Sequence, residues 1–383
     1  MSATSQRPHA VAASCVFDGA ITHADAAVLI LGDRIERVVQ RVDLPRDCPV
    51  YELPQGVWLV PGFIDLQVNG GGDVLFNDAP TPQAIRQIAA AHRRFGTTGL
   101  LPTLISDSPA KMVAAVAAAE TLAGVEPSVL GIHLEGPFLS PEKAGVHARR
   151  HLRQPTADDL DLITARRQGA TLVTLAPEQV PSGFIDKLAR AGVRVALGHS
   201  MATYAQTREA IASGLTGFTH LFNAMRSLEA REPGPIAAAL ECADAWYGLI
   251  ADGIHVAPPM LQLALRGRGQ PILVTDAMPP VGGTCTTFQL NGDTIAVRDG
   301  RCTRQDGRLA GSFLDMAAAI RNCVRLLDVP LTDALRFAST HPAKFLGLDG
   351  KLGALAPGLR ADLVAIDCET FQVHHTWVAG EGK

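Results

Sequence analysis

The stretch Val129-Leu-Gly-Ile-His-Leu-Glu-Gly-Pro-Phe138 places one carboxylate, Glu135, at the end of a short apolar run and before a Gly-Pro turn. Three other apolar runs also end in a residue that binds metal or moves protons, and these residues are His199, His220 and Asp276. In a parallel barrel the carboxyl ends of separate strands meet at one mouth, so we expect the four side chains to lie together. This pattern is typical of an active site.

Apolar runs of strand length fill the middle of the chain. We predict strands at residues 63–68, 99–103, 129–133, 172–175, 193–197, 217–220, 247–251 and 271–275. Amphipathic or alanine-rich segments typical of helices separate most of them, for example residues 82–95, 109–122, 182–191 and 203–213. Repeated alternation of strand and helix predicts an α/β fold, a (β/α)8 barrel of the TIM type.

The segment behind the last of these strands has a different pattern. Residues 286–304 are typical of a β-hairpin insertion, with Asn291-Gly292 as its turn. Two helices are then predicted, at residues 312–327 and 332–338.

Both chain ends are rich in short β-type runs. The predicted strands are residues 10–17, 26–31, 34–39, 361–367 and 373–378. Two such ends around an α/β middle predict one small β-sandwich domain assembled from both termini. The predicted boundaries are 1–58 for the first part of the sandwich, 59–346 for the catalytic barrel and 347–383 for the second part.

Composition narrows the classes of partner. Hydrophobic residues make up 47% of the 383 residues, and the formal net charge is -4, which argues against nucleic acid as a partner. The sequence also argues against a membrane span, because the longest apolar runs, such as 112–119, are far shorter than the roughly 20 residues that a span needs. Arg7 is the only arginine or lysine before the apolar segment 10–17. This segment fits a first strand better than a signal peptide. Seven scattered cysteines without a C-x-x-C pair predict a reduced cytoplasm rather than a disulfide framework.

Glu135, His199 and His220 form a set typical of catalytic zinc, in which a fourth position stays open. Each residue alone is more typical of a structural, hydrogen-bonded side chain; their shared position at strand ends favours a metal site. Asp276 beside such a site can accept a proton from water and return it to a leaving group. The alternative for Asp276 is a helix cap or turn aspartate.

Seven runs together are similar to those of the N-acetylglucosamine-6-phosphate deacetylases, a family of the amidohydrolase superfamily. They are His-Leu-Glu-Gly-Pro-Phe (133–138), Leu-Gly-His-Ser (197–200), Thr-His-Leu-Phe-Asn-Ala-Met (219–225), Arg-Glu-Pro-Gly (231–234), Ala-Asp-Gly-Ile-His (251–255), Val-Thr-Asp-Ala (274–277) and Leu-Ala-Gly-Ser (309–312). The runs span essentially the whole chain in family order. The resemblance implies hydrolysis of N-acetyl-D-glucosamine 6-phosphate to D-glucosamine 6-phosphate and acetate.

The resemblance also implies roles for single residues. Glu135, His199 and His220 would hold one divalent metal ion per subunit, with zinc preferred over iron, manganese or cobalt, and Asp276 would be the general acid/base. Residues implied to contact the substrate are His147 at the amide, Asn223, the Ala224 backbone, Arg231, His255 from the partner subunit of a homodimer, and a covering loop of Leu309, Ala310, Gly311 and Ser312.

Simple chemistry leaves several of these roles open. Arg231 offers a planar fork suited to phosphate, but an arginine beside Glu229 and Glu232 is equally typical of a surface ion pair. His255 after Asp-Gly is also typical of a solvent-facing loop, and His147 is ambiguous in the same way.

The first strand departs from the broader superfamily, which places a His-x-His pair of metal ligands there. This chain has Gln67-Val68-Asn69, and amides are poor ligands for transition metals, so we expect one metal rather than two. Gln67 is instead predicted to hydrogen-bond the substrate or the reacting water. The alternative is that the triplet only ends a strand before the glycine turn at 70–72.

Two other functions remain open at this point. One is a different amidohydrolase, a deaminase or cyclic-amide hydrolase; it would give no reason for Arg231 and His255, and the fourth strand lacks the lysine that cyclic-amide hydrolases usually carboxylate. The other is a non-catalytic sugar-phosphate-binding protein, against which the full ligand set and Asp276 argue.

Overall fold

A computed structural model describes residues 8–382. Residues 1–7, which include Arg7 and begin the predicted segment 1–58, and residue 383 lie outside the described residues. Eight parallel strands follow each other around a barrel in chain order. They are Phe63–Val68, Thr97–Ile105, Gly131–Glu135, Ala170–Leu175, Arg194–Leu197, Gly217–Phe218, Trp246–Leu249 and Gln270–Leu273. A parallel bridge between Val68 and Ala277 joins the first strand to the segment after the eighth, so the barrel closes as predicted.

The barrel strands are buried on both faces. Every residue of Phe63–Val68 and Thr97–Ile105 is buried, because side chains alternate between the barrel interior and the surrounding helices. The sixth strand, Gly217–Phe218, is two residues shorter than predicted. Its end is set by His220, whose φ of 33° is incompatible with a continuing ladder.

The helices lie between and behind the strands. Their bounds are Pro82–Arg93, Pro109–Leu122, Ala157–Thr164, Phe184–Arg190, Tyr204–Ala212, Gly234–Glu241, Pro258–Leu265, Met316–Leu327, Leu331–Ala338 and Thr340–Leu346. Thr81 and Ser108 cap the first two with side-chain hydrogen bonds. The helix predicted from residue 312 begins later because Asp315 caps it at Met316. None of the helices among residues 8–382 has both the length and the apolar composition needed to cross a membrane.

Both termini build one β-domain together, as predicted, and the strands of the expected sandwich form a single connected sheet. Its eight strands are His9–Phe17, Thr22–Leu31, Arg34–Gln40, Val50–Glu52, Val57–Pro61, Leu363–Asp367, Val373–Val378 and Glu381–Gly382. Val11 and Ala13 pack into one apolar cluster and Ala10 and Ala12 into another, so both faces of this sheet are covered. Its strand Val57–Pro61 continues past the predicted boundary at residue 58.

The insertion behind the eighth barrel strand is larger than a hairpin. It is a four-stranded antiparallel sheet of Thr287–Leu290, Asp293–Arg298, Arg301–Thr303 and Leu309–Ser312. Asn291 and Gly292 have φ values of 55° and 94°, which fit the predicted two-residue turn. The covering loop expected at Leu309–Ser312 is therefore a strand, and it reaches the barrel mouth through a bridge between Ser312 and Ala277.

Candidate metal centre and active site

Three of the predicted side chains converge at the barrel mouth. Glu135 is the last residue of the third barrel strand, and its Oε1 lies 3.0 Å from the Nε2 atoms of both His199 and His220. The two Nε2 atoms are 3.1 Å apart. All three residues are buried, and their ligand atoms form a possible metal-binding group.

The backbone at these strand ends is strained. His199, His220 and Asp276 have φ values of 48°, 33° and 53°, a region that residues other than glycine rarely adopt. Such a conformation costs on the order of 1–3 kcal/mol per residue and is concentrated at functional sites. In each case the unusual φ occurs where the chain leaves a barrel strand.

The donor set fits a divalent cation. The distances of 3.0–3.1 Å between donor atoms are close to the roughly 3.3 Å expected between ligands of a tetrahedral ion with bonds of about 2.0 Å. His199 Nδ1 donates to the Lys143 carbonyl at 2.7 Å, which leaves the lone pair of Nε2 directed at the other two ligands.

Electrostatics at the triad also favour a cation. Burial by itself raises the pKa of the Glu135 carboxyl, but the imidazoles of His147, His199 and His220 outweigh burial and hold that pKa well below its usual range. Burial lowers the pKa of His220, whereas the hydrogen bond and charge of Glu135 raise it overall. Glu135 is thus an ionised carboxylate at neutral pH, which is the form that binds a cation.

Asp276 stands beside this group and is held by two amides. Its Oδ1 accepts hydrogen bonds from Asn69 Nδ2 at 2.6 Å and from Gln67 Nε2 at 3.2 Å. Gln67 Nε2 is also 3.2 Å from Glu135 Oε2. Burial and then the charge of Glu135 raise the pKa of Asp276 to about 6. The Gln67 amide nitrogen therefore bonds both carboxylates, and contact of this side chain with substrate or water stays a prediction.

His147 is a neutral hydrogen-bond donor at the same site. Its Nδ1 accepts from the backbone N–H of Ser106 at 3.2 Å, so the proton of the neutral ring lies on Nε2. Nε2 lies 3.9 Å from Glu135 Oε1. Burial and then the neighbouring His199 lower the pKa of His147 to about 4. At neutral pH the side chain therefore offers an uncharged N–H toward the triad.

One cavity of about 180 Å³ connects these groups. It is lined by Glu135, His199, His220, Asp276, His147, Asn223, Ala224 and His255, together with Leu309, Gly311 and the apolar Ile105, Ile250 and Met278. Among residues 8–382 the Ala224 backbone N–H donates to no acceptor. Ala224 has a φ of 50°.

Some predicted substrate contacts take other positions. Arg231 is exposed and does not line the cavity. His255 lines the cavity of its own chain, where its Nδ1 is 2.6 Å from Asp252 Oδ2, a position from which it can reach a substrate bound in the same chain.

The strand Leu309–Ser312 presents only some of its residues to the cavity. Side chains alternate along a strand, so Leu309 and Gly311 face the cavity, whereas Ala310 packs in an apolar cluster and Ser312 Oγ donates to the Thr275 carbonyl. A Cβ on Gly311 would lie 2.6 Å from Met278, so only glycine fits there.

Three residues at the site were absent from the predicted substrate and catalytic set. Ser106, which orients His147, carried no sequence signal. Asn69 was noted only as a lost metal ligand. Asp65 lies two residues before Gln67, and the period-2 alternation of a strand is a signal that would have found it.

Comparison with known proteins agrees with this geometry. The profile of the amidohydrolase family matches residues 58–382. An N-acetylgalactosamine-6-phosphate deacetylase of Shewanella sp. (strain ANA-3) is 44% identical over 88% of this chain and 85% of the relative. An N-acetylglucosamine-6-phosphate deacetylase of Haemophilus influenzae is 34% identical over 94% of this chain and 95% of the relative.

A solved structure is similar over nearly the full length. The crystal structure of N-acetylglucosamine-6-phosphate deacetylase from Pasteurella multocida aligns with a TM-score of 0.95 at 34% identity, covering 98% of this chain and 100% of that chain. The resemblance inferred from the sequence motifs is thereby confirmed. By its barrel, its strand-end ligand set and these similarities, the chain belongs to the amidohydrolase family.

Proposed function

We propose that this protein hydrolyses the acetamide of N-acetyl-D-glucosamine 6-phosphate to D-glucosamine 6-phosphate and acetate. The observation that carries the proposal is a single cavity in which Asp276 and the neutral His147 face the triad of Glu135, His199 and His220. The named activities of the similar proteins support the same chemistry.

Glu135, His199 and His220 would hold one divalent cation, for which zinc is the first choice and iron, manganese or cobalt are alternatives. When bound, such a cation acts as a Lewis acid that polarises the amide carbonyl and makes water more acidic. Gln67 and Asn69 support a single ion, because their amide nitrogens already donate to carboxylates.

The protein's own groups move the proton. Asp276 accepts a proton from the water whose oxygen bonds to the amide carbon. The carbon–nitrogen bond then breaks, and Asp276 returns the proton to the departing amine. His147 Nε2–H donates a hydrogen bond to the carbonyl oxygen as negative charge develops there, a contribution commonly worth about 3 kcal/mol.

We place the phosphate of the substrate in the same cavity as the triad. We propose that Asn223, the Ala224 N–H and His255 bind it within one chain, since all three line the cavity. Arg231 is exposed and outside that cavity, so it reaches a phosphate only if its segment moves or if a second copy presents it. We favour the second copy and propose a homodimer in which Arg231, rather than His255, crosses between subunits.

N-acetyl-D-galactosamine 6-phosphate, the C4 epimer of the proposed substrate, is a second candidate substrate. The Shewanella relative, at 44% identity, is named for N-acetylgalactosamine 6-phosphate. The two sugars differ only at the C4 hydroxyl and share the acetamide and the phosphate. The deacetylation chemistry described above therefore applies to both.

One assay tests these proposals. Acetate release is measured from both phosphorylated sugars and from both free sugars, with the metal content of the same sample determined by elemental analysis. We expect rapid release from a phosphorylated sugar and slow release from the free ones. Faster release from N-acetyl-D-galactosamine 6-phosphate would identify that epimer as the preferred substrate. No release from any of the four sugars by metal-loaded protein would refute the proposed deacetylase activity.

We also propose the domain division 1–58, 59–346 and 347–383, with the sheet strand that ends at Pro61 completing the first segment. A reducing compartment such as the cytoplasm fits the seven cysteines, all of which are free.

A further inference from the structure

Three alternate residues at the end of the first barrel strand are polar and buried. Asp65 and Gln67 belong to the strand and Asn69 directly follows it, and the three are 0%, 1% and 1% exposed. The strand has an irregular register between Asp65 and Val68, and the hydrogen bonds of the three side chains to Thr275 and Asp276 show that they point to the same side. A row of three buried polar side chains inside a barrel is costly unless each is hydrogen-bonded.

This row lies along the seam where the barrel closes. The first and eighth strands are the two ends of the barrel ladder and are not paired directly. Across the seam, the backbone N–H of Asp276 donates to the Gln67 carbonyl at 3.0 Å, and the N–H of Asn69 donates to the Ala277 carbonyl at 3.0 Å. Few backbone bonds therefore fix the position of Asp276 relative to the first strand.

Side-chain hydrogen bonds of these residues add to the backbone hydrogen bonds across the seam. Asp65 Oδ2 accepts from Thr275 Oγ1 at 2.5 Å, and its Oδ1 accepts from the backbone N–H groups of Thr275 and Gln67 at 3.3 and 3.2 Å. Asp65 thus ties the residue before Asp276 to Gln67, which itself donates to Asp276. One buried carboxylate holds both sides of the seam at the point where the chain adopts the strained φ of Asp276.

The two amides of the row converge on one oxygen. Asn69 Nδ2 and Gln67 Nε2 both donate to Asp276 Oδ1. Among residues 8–382, Asp276 Oδ2 has no hydrogen-bond partner and is not one of the buried unpartnered atoms. Since Asp276 lines the cavity, Oδ2 is the oxygen that faces it.

We infer that Asp65, Gln67 and Asn69 are positioning residues for Asp276, which hold Oδ1 and reserve Oδ2 for exchange of the proton with water and amine. This inference rests on the proposed role of Asp276 as general acid/base. Gln67 and Asn69, which occupy the positions of metal ligands in the broader superfamily, therefore orient the Asp276 carboxylate instead. A misplacement of about 1 Å at such a group costs on the order of 100-fold in rate.

The test uses Asn69→Ala, with Asp65→Asn as a variant that keeps the shape of the side chain. Gln67 is left unchanged because it also contacts Glu135. For both variants we expect kcat on the preferred phosphorylated sugar to fall about 10- to 100-fold, with KM within about twofold and metal content unchanged. Asn77→Ala is the matched control: Asn77 is a buried amide at the same end of the barrel that bonds Ile105 and Asp107 and does not touch Asp276. It should lower the melting temperature while leaving kcat close to that of the wild type.

A crystal structure of Asn69→Ala supplies a readout that does not depend on activity, and we expect the Asp276 carboxylate to rotate away from Gln67. An unmoved carboxylate, or a kcat indistinguishable from that of Asn77→Ala, would overturn the inference. A wild-type protein that releases no acetate would instead refute the proposed function, and the carboxylate orientation in the two structures would still decide the positioning claim.

Discussion

The Nε2 atoms of His199 and His220 lie 3.1 Å apart, and one oxygen of Glu135 lies 3.0 Å from each. Two imidazole nitrogens at this distance are favourable neighbours only if a proton or a cation lies between them. The hydrogen bond from His199 Nδ1 to the Lys143 carbonyl leaves the lone pair of its Nε2 free to bind a cation. One cation held by all three residues would satisfy both rings and the carboxylate.

We predict that Glu135→Ala or His199→Ala loses both metal and activity. The wild type should bind close to one ion per chain even with excess metal, because Gln67 and Asn69 offer only weak ligands. Elemental analysis after gel filtration measures the content. Substitution of the exposed His374 by alanine is the control and should keep one ion, and two tightly bound ions in the wild type would contradict the single-site assignment.

Asp276→Asn separates metal binding from chemistry. The amide has nearly the same shape but cannot accept a proton, so turnover should fall by about 10²- to 10⁴-fold while metal content and melting temperature stay near wild-type values. Acetate release under saturating substrate gives the change in kcat. Near-normal turnover would remove Asp276 from the mechanism.

Arg231→Ala should selectively weaken the binding of the phosphorylated substrate. We propose that its guanidinium pairs with the phosphate oxygens of a substrate bound in a second copy, so KM should rise for the sugar phosphate and stay unchanged for the free sugar. Arg298→Ala, an exposed arginine on the insertion away from the cavity, is the control. Equal losses on both substrates would mark Arg231 as structural.

Mixing of variants decides which residue crosses between subunits. If Arg231 acts in trans, mixed dimers of Arg231→Ala and Asp276→Asn contain one complete site and recover part of the activity. His255 lines its own cavity, so His255→Ala mixed with Asp276→Asn should recover none. Rescue in the second mixture and not the first would reverse the assignment.

His92 lies outside the active site, and its burial should make the stability of the protein depend on pH. Its buried ring donates from Nε2 to the Gly70 carbonyl at 2.9 Å, and burial lowers its pKa to about 4. Between that value and the usual pKa of about 6.5, the unfolded chain binds more protons than the folded one. The free energy of unfolding should therefore decrease as the pH is lowered from about 6.5 to about 4, by about 1.4 kcal/mol per unit from this residue.

His92→Gln keeps a donor but does not titrate, so its stability should depend less steeply on pH between about 6.5 and 4. Urea unfolding at stepped pH measures the slope. His374→Gln, on the surface, is the matched control for the exchange of an imidazole for an amide. An unchanged slope in His92→Gln would show that the ring is not held neutral by burial.

Much of the site could be predicted from local sequence. Glu135, His199, His220 and Asp276 each end an apolar run, and a closed parallel barrel brings such ends together whatever the details of packing. The barrel itself followed from the repeated alternation of strand and helix. The conformation of Leu309–Ser312 could not be predicted in this way, because its strand pairing depends on the insertion and on the bridge to Ala277.

The sequence by itself determined the barrel, the ligand types and their order, because these depend on periodicity and on which residue ends each run. Only the tertiary structure decided that the Gln67 amide turns to Asp276, 209 residues away, that His255 faces its own cavity and that Arg231 lies outside it. Those outcomes depend on distances and side-chain directions between segments far apart in the chain. Such distances are set by packing across the barrel seam and mouth, which no local pattern encodes.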